Sequence, residues 1–371
     1  MNICVLSMQN VNNFGSVLQA YGLKKTLESL GGQVEFLDIK AIEEDNKLRG
    51  NQILDHSNER EKAGILGKLT KVDRYIKNRL VNRKLEPLQD DFFEQFRYEK
   101  LDINKKSNKY DLCVIGSDEV FNCLNPSEKW GFSSQLFGNV REANRVITYA
   151  ASCGATTYEK INELMSKRIK ESLEKVSFIS VRDDNTYDFV SKLTDNEITK
   201  NVDPVILYDF SKEITKAKII DVPEHYCLIY AYRNRIKDKN EIKNILAFCK
   251  KNHLVPIAVG APQFWIKRFV ICDPFQCLLL FKNADFVITD TFHGTVFSLK
   301  YAKRFATIIR DSNKNKLLDL IHLFKAEKHL VSQIEDINEI YKIEKEKYIQ
   351  VIIQAEQQKA NEYLKRSVFN E

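Results

Sequence analysis

The residues best suited to chemistry stand where apolar runs end. His293 lies in Thr291-Phe292-His293-Gly294-Thr295, between the apolar run 286–289 and a helical stretch reaching Lys300 or beyond. An imidazole there can gain charge near neutral pH and act as general acid or phosphate partner. Gly294 lets the backbone approach a ligand, and the amides after it face outward at a helix start, where anions bind. The plainer alternative is a capping histidine bonded to a neighbouring backbone group. Arg182 directly follows the run 178–181. A guanidinium fixed at a strand end suits two-pronged capture of carboxylate or phosphate; its plainer alternative is an ion pair with Asp183 or Asp184. Arg233 ends the run 226–232 with the same logic. Ser7, Gly116-Ser117-Asp118, Ser152 and Asp290 occupy equivalent positions, and open parallel sheets bind ligands outside the carboxyl ends of their strands.

Other chemistries find no support. The turn Asn13-Phe14-Gly15-Ser16 is only loosely like a phosphate turn, lacking both GxGxxG and a Walker pattern. There is no GxSxG elbow, HExxH, EF-hand loop or strand-end DxD, so no metal is indicated. The histidines at 56, 225, 253, 322 and 329 show no ligand spacing and read as surface or packing residues. None of the eight cysteines forms a CxxC pair, and several sit in apolar runs as small hydrophobes, which points to a reducing cytoplasm. The N-terminus has no basic leader, and no run of about 18 apolar residues suggests a membrane span.

The elements that must position these groups alternate strand and helix, the pattern of a mostly parallel sheet. Residues 2–7 read as a strand. A helix with Ala20, Leu23, Leu27 and Leu30 at helical spacing stops at Gly31-Gly32, and 34–39 is a second strand. Residues 43–109 are charged, Asn-rich and read as a helical insertion. The rhythm resumes with strands at 112–115, 146–151 and 178–181, then 226–232, 255–259, 286–289 and 305–309. Helices are expected over about 238–252 and from Asp273-Pro274, an N-cap followed by Pro at the first helical position. The economical reading is a domain over 1–207, a second over 208–334, and a tail, 335–371, that forms one long helix over about 335–367, carrying Tyr348, Ile352 and Ala355 on one stripe and packing back on the domains.

With 371 residues and 43% hydrophobic content, the chain can bury two sizeable cores, which excludes wholesale disorder. Residues 60–84 hold nine Lys or Arg and two acids; the net +6 less this +7 leaves −1 for the rest. The segment reads as a solvated helix or as a contact with an anionic membrane surface. No aromatic stacking pattern accompanies it, so a nucleic-acid partner is not expected.

Six segments in order resemble the bacterial polysaccharide pyruvyl transferases: NNFGSVLQAYGLKKTLESLG (12–31), YDLCVIGSDEVFN (110–122), ITYAASCG (147–154), FISVRD (178–183), NVDPVIL (201–207) and ADFVITDTFHGTVFSLKYAKRF (284–305). The resemblance implies an α/β fold of two Rossmann-like domains in a GT-B-like arrangement with the site in the cleft between them. It implies transfer of pyruvate from phosphoenolpyruvate to hydroxyls of a glycan, often a lipid-linked saccharide of capsule, exopolysaccharide or cell wall, with no further cofactor. By position His293 matches the family's functional histidine and Arg182 the arginine of its VRD motif, as catalytic residues. Thr291, Gly294, Thr295 and Arg233 fall on the donor side, with Gly294 and Thr295 offering amides to phosphate. Asn13, Gly15, Ser117, Asp118 and Asn122 fall on the acceptor side, with Asp118 either a base or a turn residue. Phe121, Thr291, Arg304 and Lys316 depart from the usual residues, and the second anion contact stays open among Arg233, Lys300 and Arg310. Two rival functions remain: a GT-B glycosyltransferase using a nucleotide sugar, and a non-catalytic sugar- or anion-binding homologue.

Overall fold

A computed structural model describes residues 1–48, 84–103, 107, 109–125, 130–233 and 235–370. The basic segment 60–84, apart from its last residue, lies outside them.

Two sheets organise the chain. β1 (Asn2–Leu6), β2 (Gln33–Phe36), β3 (Tyr110–Ile115), β4 (Ala143–Thr148), β5 (Val176–Val181) and β6 (Ile198–Lys200) form the first, in the order β2-β1-β3-β4-β5-β6. β7 (Tyr226–Tyr230), β8 (Val255–Val259), β9 (Arg268–Val270), β10 (Phe286–Thr289), β11 (Phe305–Ile308) and β12 (Leu330–Val331) form the second, in the order β12-β11-β10-β7-β8-β9. Every pairing is parallel. Counted from β7, the second order is 3-2-1-4-5-6 in reverse, the doubly wound Rossmann arrangement. The strand order reverses beside β1 and β3 in the first sheet, and beside β7 and β10 in the second.

The continuous apolar runs follow from this architecture. Parallel sheets are covered on both faces, so their strands have no polar side to show. β3, β7 and β10 are buried almost throughout, and Cys4 sits opposite Cys113 in the β1–β3 ladder. All eight cysteines are buried, and none is in a disulfide among the described residues.

Three cores result. One lies under the outer face of each sheet; the largest runs between the sheets and joins Leu18, Tyr21 and Leu23 to Phe281, Val296 and Phe297. The helix Phe14–Ser29 is buried nearly all round because it lies in this middle layer, against the helices Pro204–Leu207, Pro274–Asn283 and Phe292–Tyr301. Residues 84–101 are helical and tie the insertion to the second sheet, where Gln89 exchanges hydrogen bonds with the Cys272 backbone at 2.9 and 3.1 Å.

Two expectations need correction. The short strands β6, β9 and β12 went unread, because two or three residues are too few to show a period. The C-terminal helix is shorter than expected, Lys347–Phe369, with a separate turn Ile337–Ile340 before it. Its inward stripe is Ile349, Ile353, Ala360, Leu364 and Val368, whereas Tyr348 and Ala355 are exposed. The helix packs on both halves. Tyr348 donates to Lys325 O at 2.7 Å, Gln357 to Ile206 O at 2.8 Å, and Tyr363 to Thr148 O at 2.9 Å. Among the described residues no helix is long and apolar enough to cross a membrane.

Candidate active site

The turns at the two points of strand reversal meet across the middle layer. Asn13 caps the helix after β1: its side chain accepts from Ser16 N at 2.7 Å and donates to Ser16 Oγ at 2.9 Å. Ser16 Oγ donates to Asp118 at 2.7 Å, joining the turn after β1 to the turn after β3. Asp118 sits at φ +74°, a left-handed position that aspartate tolerates. From the other sheet comes His293. A Cβ on Gly15 would lie 2.1 Å from His293 Cγ and Nδ1, so the ring rests on the bare backbone there.

One carboxylate that was not singled out in the sequence joins the two predicted catalytic residues. Asp203 accepts from Arg182 Nη1 at 2.9 Å, and the same oxygen lies 3.5 Å from His293 Nε2. Its other oxygen accepts Val205 N–H at 2.9 Å, so Asp203 is also the N-cap of the helix Pro204–Leu207. Asp203 is fully buried. Burial alone would raise its pKa, but His293, Arg182 and the capping amide outweigh it and hold it below the usual carboxylate range. Burial likewise works against the Arg182 charge, and Asp203, Asp118 and Asp183 overcome it, so its pKa is raised. The guanidinium lies 4.2 Å from the Phe292 ring centroid, a cation–π contact across the two halves. Its Nη2 is 4.0 Å from Asp118, and its buried Nε has no partner among the described residues. Arg182 thus holds a forced charge with donor capacity to spare.

The remaining predicted residues divide. Thr291 is a cap: its Oγ1 accepts Gly294 N–H at 2.9 Å, and its carbonyl accepts Thr295 N–H at 3.1 Å. The Gly294 and Thr295 amides are therefore taken within the helix and do not face a ligand. Ser117 is fully buried and donates to Ala150 O at 2.9 Å. Asn122 bridges Glu119 at 2.7 Å and Thr156 at 2.8 Å. Arg233 is exposed and pairs with Glu86 at 2.6 Å. Arg310 is gripped by both oxygens of Glu241, at 2.7 and 3.1 Å. Lys300 bonds the carbonyls of Val205 and Tyr208, and burial brings its pKa down to about 7. Asp183 caps the next helix through Thr186 and accepts from Ser152 at 2.6 Å, so the ion pair of Arg182 is with Asp203 rather than its neighbours.

Sequence reading also passed over the clasp between Glu119 and Lys316, which are 2.7 Å apart and span the two halves. Burial would raise Glu119, yet Lys316, Asn122 and Arg182 hold its carboxyl down at about 2. Beside the clasp lies a small cleft of about 60 Å³, partly open to solvent and walled by Arg182, Lys200, Asp203, Phe292, Lys316 and Asp319. The one available signal for Asp203 was its Asp-Pro pair, an N-cap followed by Pro at the first helical position. The arrangement presents a fixed cation and an imidazole on a shared carboxylate, with a second carboxylate, Asp118, close by. Among the described residues no cluster of three or more His, Cys, Asp or Glu is grouped to hold a metal ion.

A family model described as "Polysaccharide pyruvyl transferase" matches residues 13–312. No curated protein sequence matches the chain significantly. Among solved structures, the chain is similar to a UDP-GlcNAc 2-epimerase from Methanocaldococcus jannaschii, with 12% identity, coverage of 94% of this chain and 93% of that one, and a TM-score of 0.47. It is similar to a glycosyltransferase from Streptomyces sp. SF2575, with 12% identity, 99% coverage of each chain and a TM-score of 0.45. For sucrose-phosphate synthase from Thermosynechococcus elongatus the identity is 10%, the coverage 100% and 99%, and the TM-score 0.44.

Proposed function

Because the chain belongs to the polysaccharide pyruvyl transferase family, we propose that it transfers pyruvate from phosphoenolpyruvate to two hydroxyls of a glycan, forming a ketal and releasing phosphate. The observation that supports this most is the sharing of Asp203 by Arg182 and His293, which come from different halves of the molecule.

The donor carries a phosphate and a carboxylate, and Arg182 has the charge and the spare Nε–H to hold one of them. A proton delivered to the methylene carbon leaves C2 cationic, and His293 is the group suited to deliver it or to clamp the phosphate. A sugar hydroxyl then adds to C2, phosphate departs with its electron pair, and a second hydroxyl closes the ring. The methylene has become a methyl, and the two hydroxyl protons leave with the phosphate and the base. Asp118, held by Ser16, is the candidate base for the hydroxyl. No further cofactor enters this scheme. A cytoplasmic enzyme of this kind would meet a lipid-linked acceptor at the inner membrane face, with the basic segment 60–84 as its contact.

The test is phosphate release from phosphoenolpyruvate in the presence of candidate glycans. His293→Ala and Arg182→Gln should each abolish most of it, since positioned acid–base groups typically contribute about 10²–10⁴-fold. Saturable binding of UDP or GDP with no binding of phosphoenolpyruvate would refute the reading in favour of a nucleotide-sugar donor.

A further inference from the structure

Of the two ring nitrogens of His293, Nε2 is the enclosed one. It is shut off from solvent and makes no full hydrogen bond, and the Asp203 carboxylate 3.5 Å away is its nearest charged partner among the described residues. The opposite edge of the ring, carrying Cγ, Nδ1 and Cε1, faces Gly15 on the other side of the middle layer. We propose that Asp203 is the positioning residue of His293, fixing a proton on Nε2 so that Nδ1 exchanges a proton with the substrate.

Three observations converge on this. Asp203 is itself immobilised, by the Val205 amide on one oxygen and Arg182 on the other, so it has one direction left in which to act. It is held in its charged form, as a partner that orients an imidazole and stabilises an imidazolium must be. The 3.5 Å separation exceeds a normal hydrogen bond by about half an ångström, and such contacts tighten when a ligand closes the site. The charged groups around the pair are Arg182 and Asp118 from the first half and, beyond Asp203, Lys300 from the helix Phe292–Tyr301. The inference takes the transferase reading for its substrate, but the state of the pair can be read without turnover.

The experiment is nitrogen-15 NMR of the histidine-labelled full chain, with the His293 signals assigned by their loss in His293→Gln. Asp203→Asn keeps an N-cap of equal quality, so the helix Pro204–Leu207 should stay formed. In the wild-type protein, neutral His293 should carry its proton on Nε2. In Asp203→Asn that preference should relax, with the proton shared between Nε2 and Nδ1. The same variant should lower kcat far more than it changes KM. Restoration of Nε2 protonation by Asp203→Glu would support a carboxylate requirement. An unchanged His293 tautomer preference in a folded Asp203→Asn variant would overturn the proposal. If the NMR shifts occur but no glycan gives phosphate release, the positioning role stands and the pyruvyl-transfer reading falls.

Discussion

Adding one methyl group at Gly15 should separate activity from stability. The Cβ of Gly15→Ala would lie 2.1 Å from His293 Cγ and Nδ1 and 2.6 Å from Cε1. Ordinary carbon contacts begin near 3.4 Å, so the ring must retreat by roughly 1.3 Å. Misplacing a catalytic group by about 1 Å costs on the order of 10²-fold in rate. The effect on folding is smaller because two terms oppose each other. Gly15 lies in the first turn of the helix Phe14–Ser29 with no left-handed φ, so alanine there gains about 0.5–1 kcal/mol of helix stability. Overpacking against the ring costs about 1–3 kcal/mol. The net loss should be no more than about 2.5 kcal/mol, small enough to leave the protein folded. Phosphate release from phosphoenolpyruvate would read the rate, and urea unfolding the stability. Activity within about threefold of wild type would refute the placement of His293 against Gly15. A stability loss beyond about 3 kcal/mol would refute the opposing-terms argument.

Other consequences can be tested at separate places. Glu119→Gln should lower stability by about 1–3 kcal/mol, since it leaves the partly buried Lys316 charge unpaired. A double-mutant cycle with Lys316→Met should show coupling, and its absence would remove the clasp from the account. Because the Glu119 carboxyl is held at about 2, the contribution of this pair is present above about pH 4.5 and lost as pH falls toward 2. Asp319 behaves oppositely: burial and the adjacent Asp184 push it up to about 6 where it accepts the Asp184 amide across the two halves. Its stabilising effect is therefore full below about pH 4 and lost as pH rises through 6, and Asp319→Asn should flatten that slope and raise the urea midpoint at pH 7–8. An unchanged slope would show that another group sets it. Finally, anionic liposomes should bind the full chain in a salt-sensitive way, and reversing charges within 60–84 should abolish the binding; flotation with no such loss would exclude that segment as the contact.

Much of the fold is written in local pattern. Apolar runs such as 112–115 and 286–289 declare strands because a parallel sheet buries both faces, and Asp273-Pro274 declares a helix start because capping is a matter of adjacent residues. His293 and Arg182 could be singled out for the same reason: each directly follows, or nearly follows, a legible strand. Ordered segment matches over most of the chain added the family.

Relations between distant segments decided the rest. Asp203 was not singled out because nothing near it in sequence reveals that Arg182 and His293 converge on it. Thr291 spends its hydroxyl on the Gly294 amide, so residues expected to hold phosphate instead close their own helix. The stripe of the C-terminal helix was misplaced by one residue because Tyr348 and Ile352 show the same helical spacing as Ile349 and Ile353, and only packing chose between them. Sequence by itself determined which elements form and which residues stand at their ends, since those depend on contacts a few residues away. Only tertiary structure decided which ends meet, because a charge is paired or free, and a glycine is spacer or seat, according to what long-range packing sets against it.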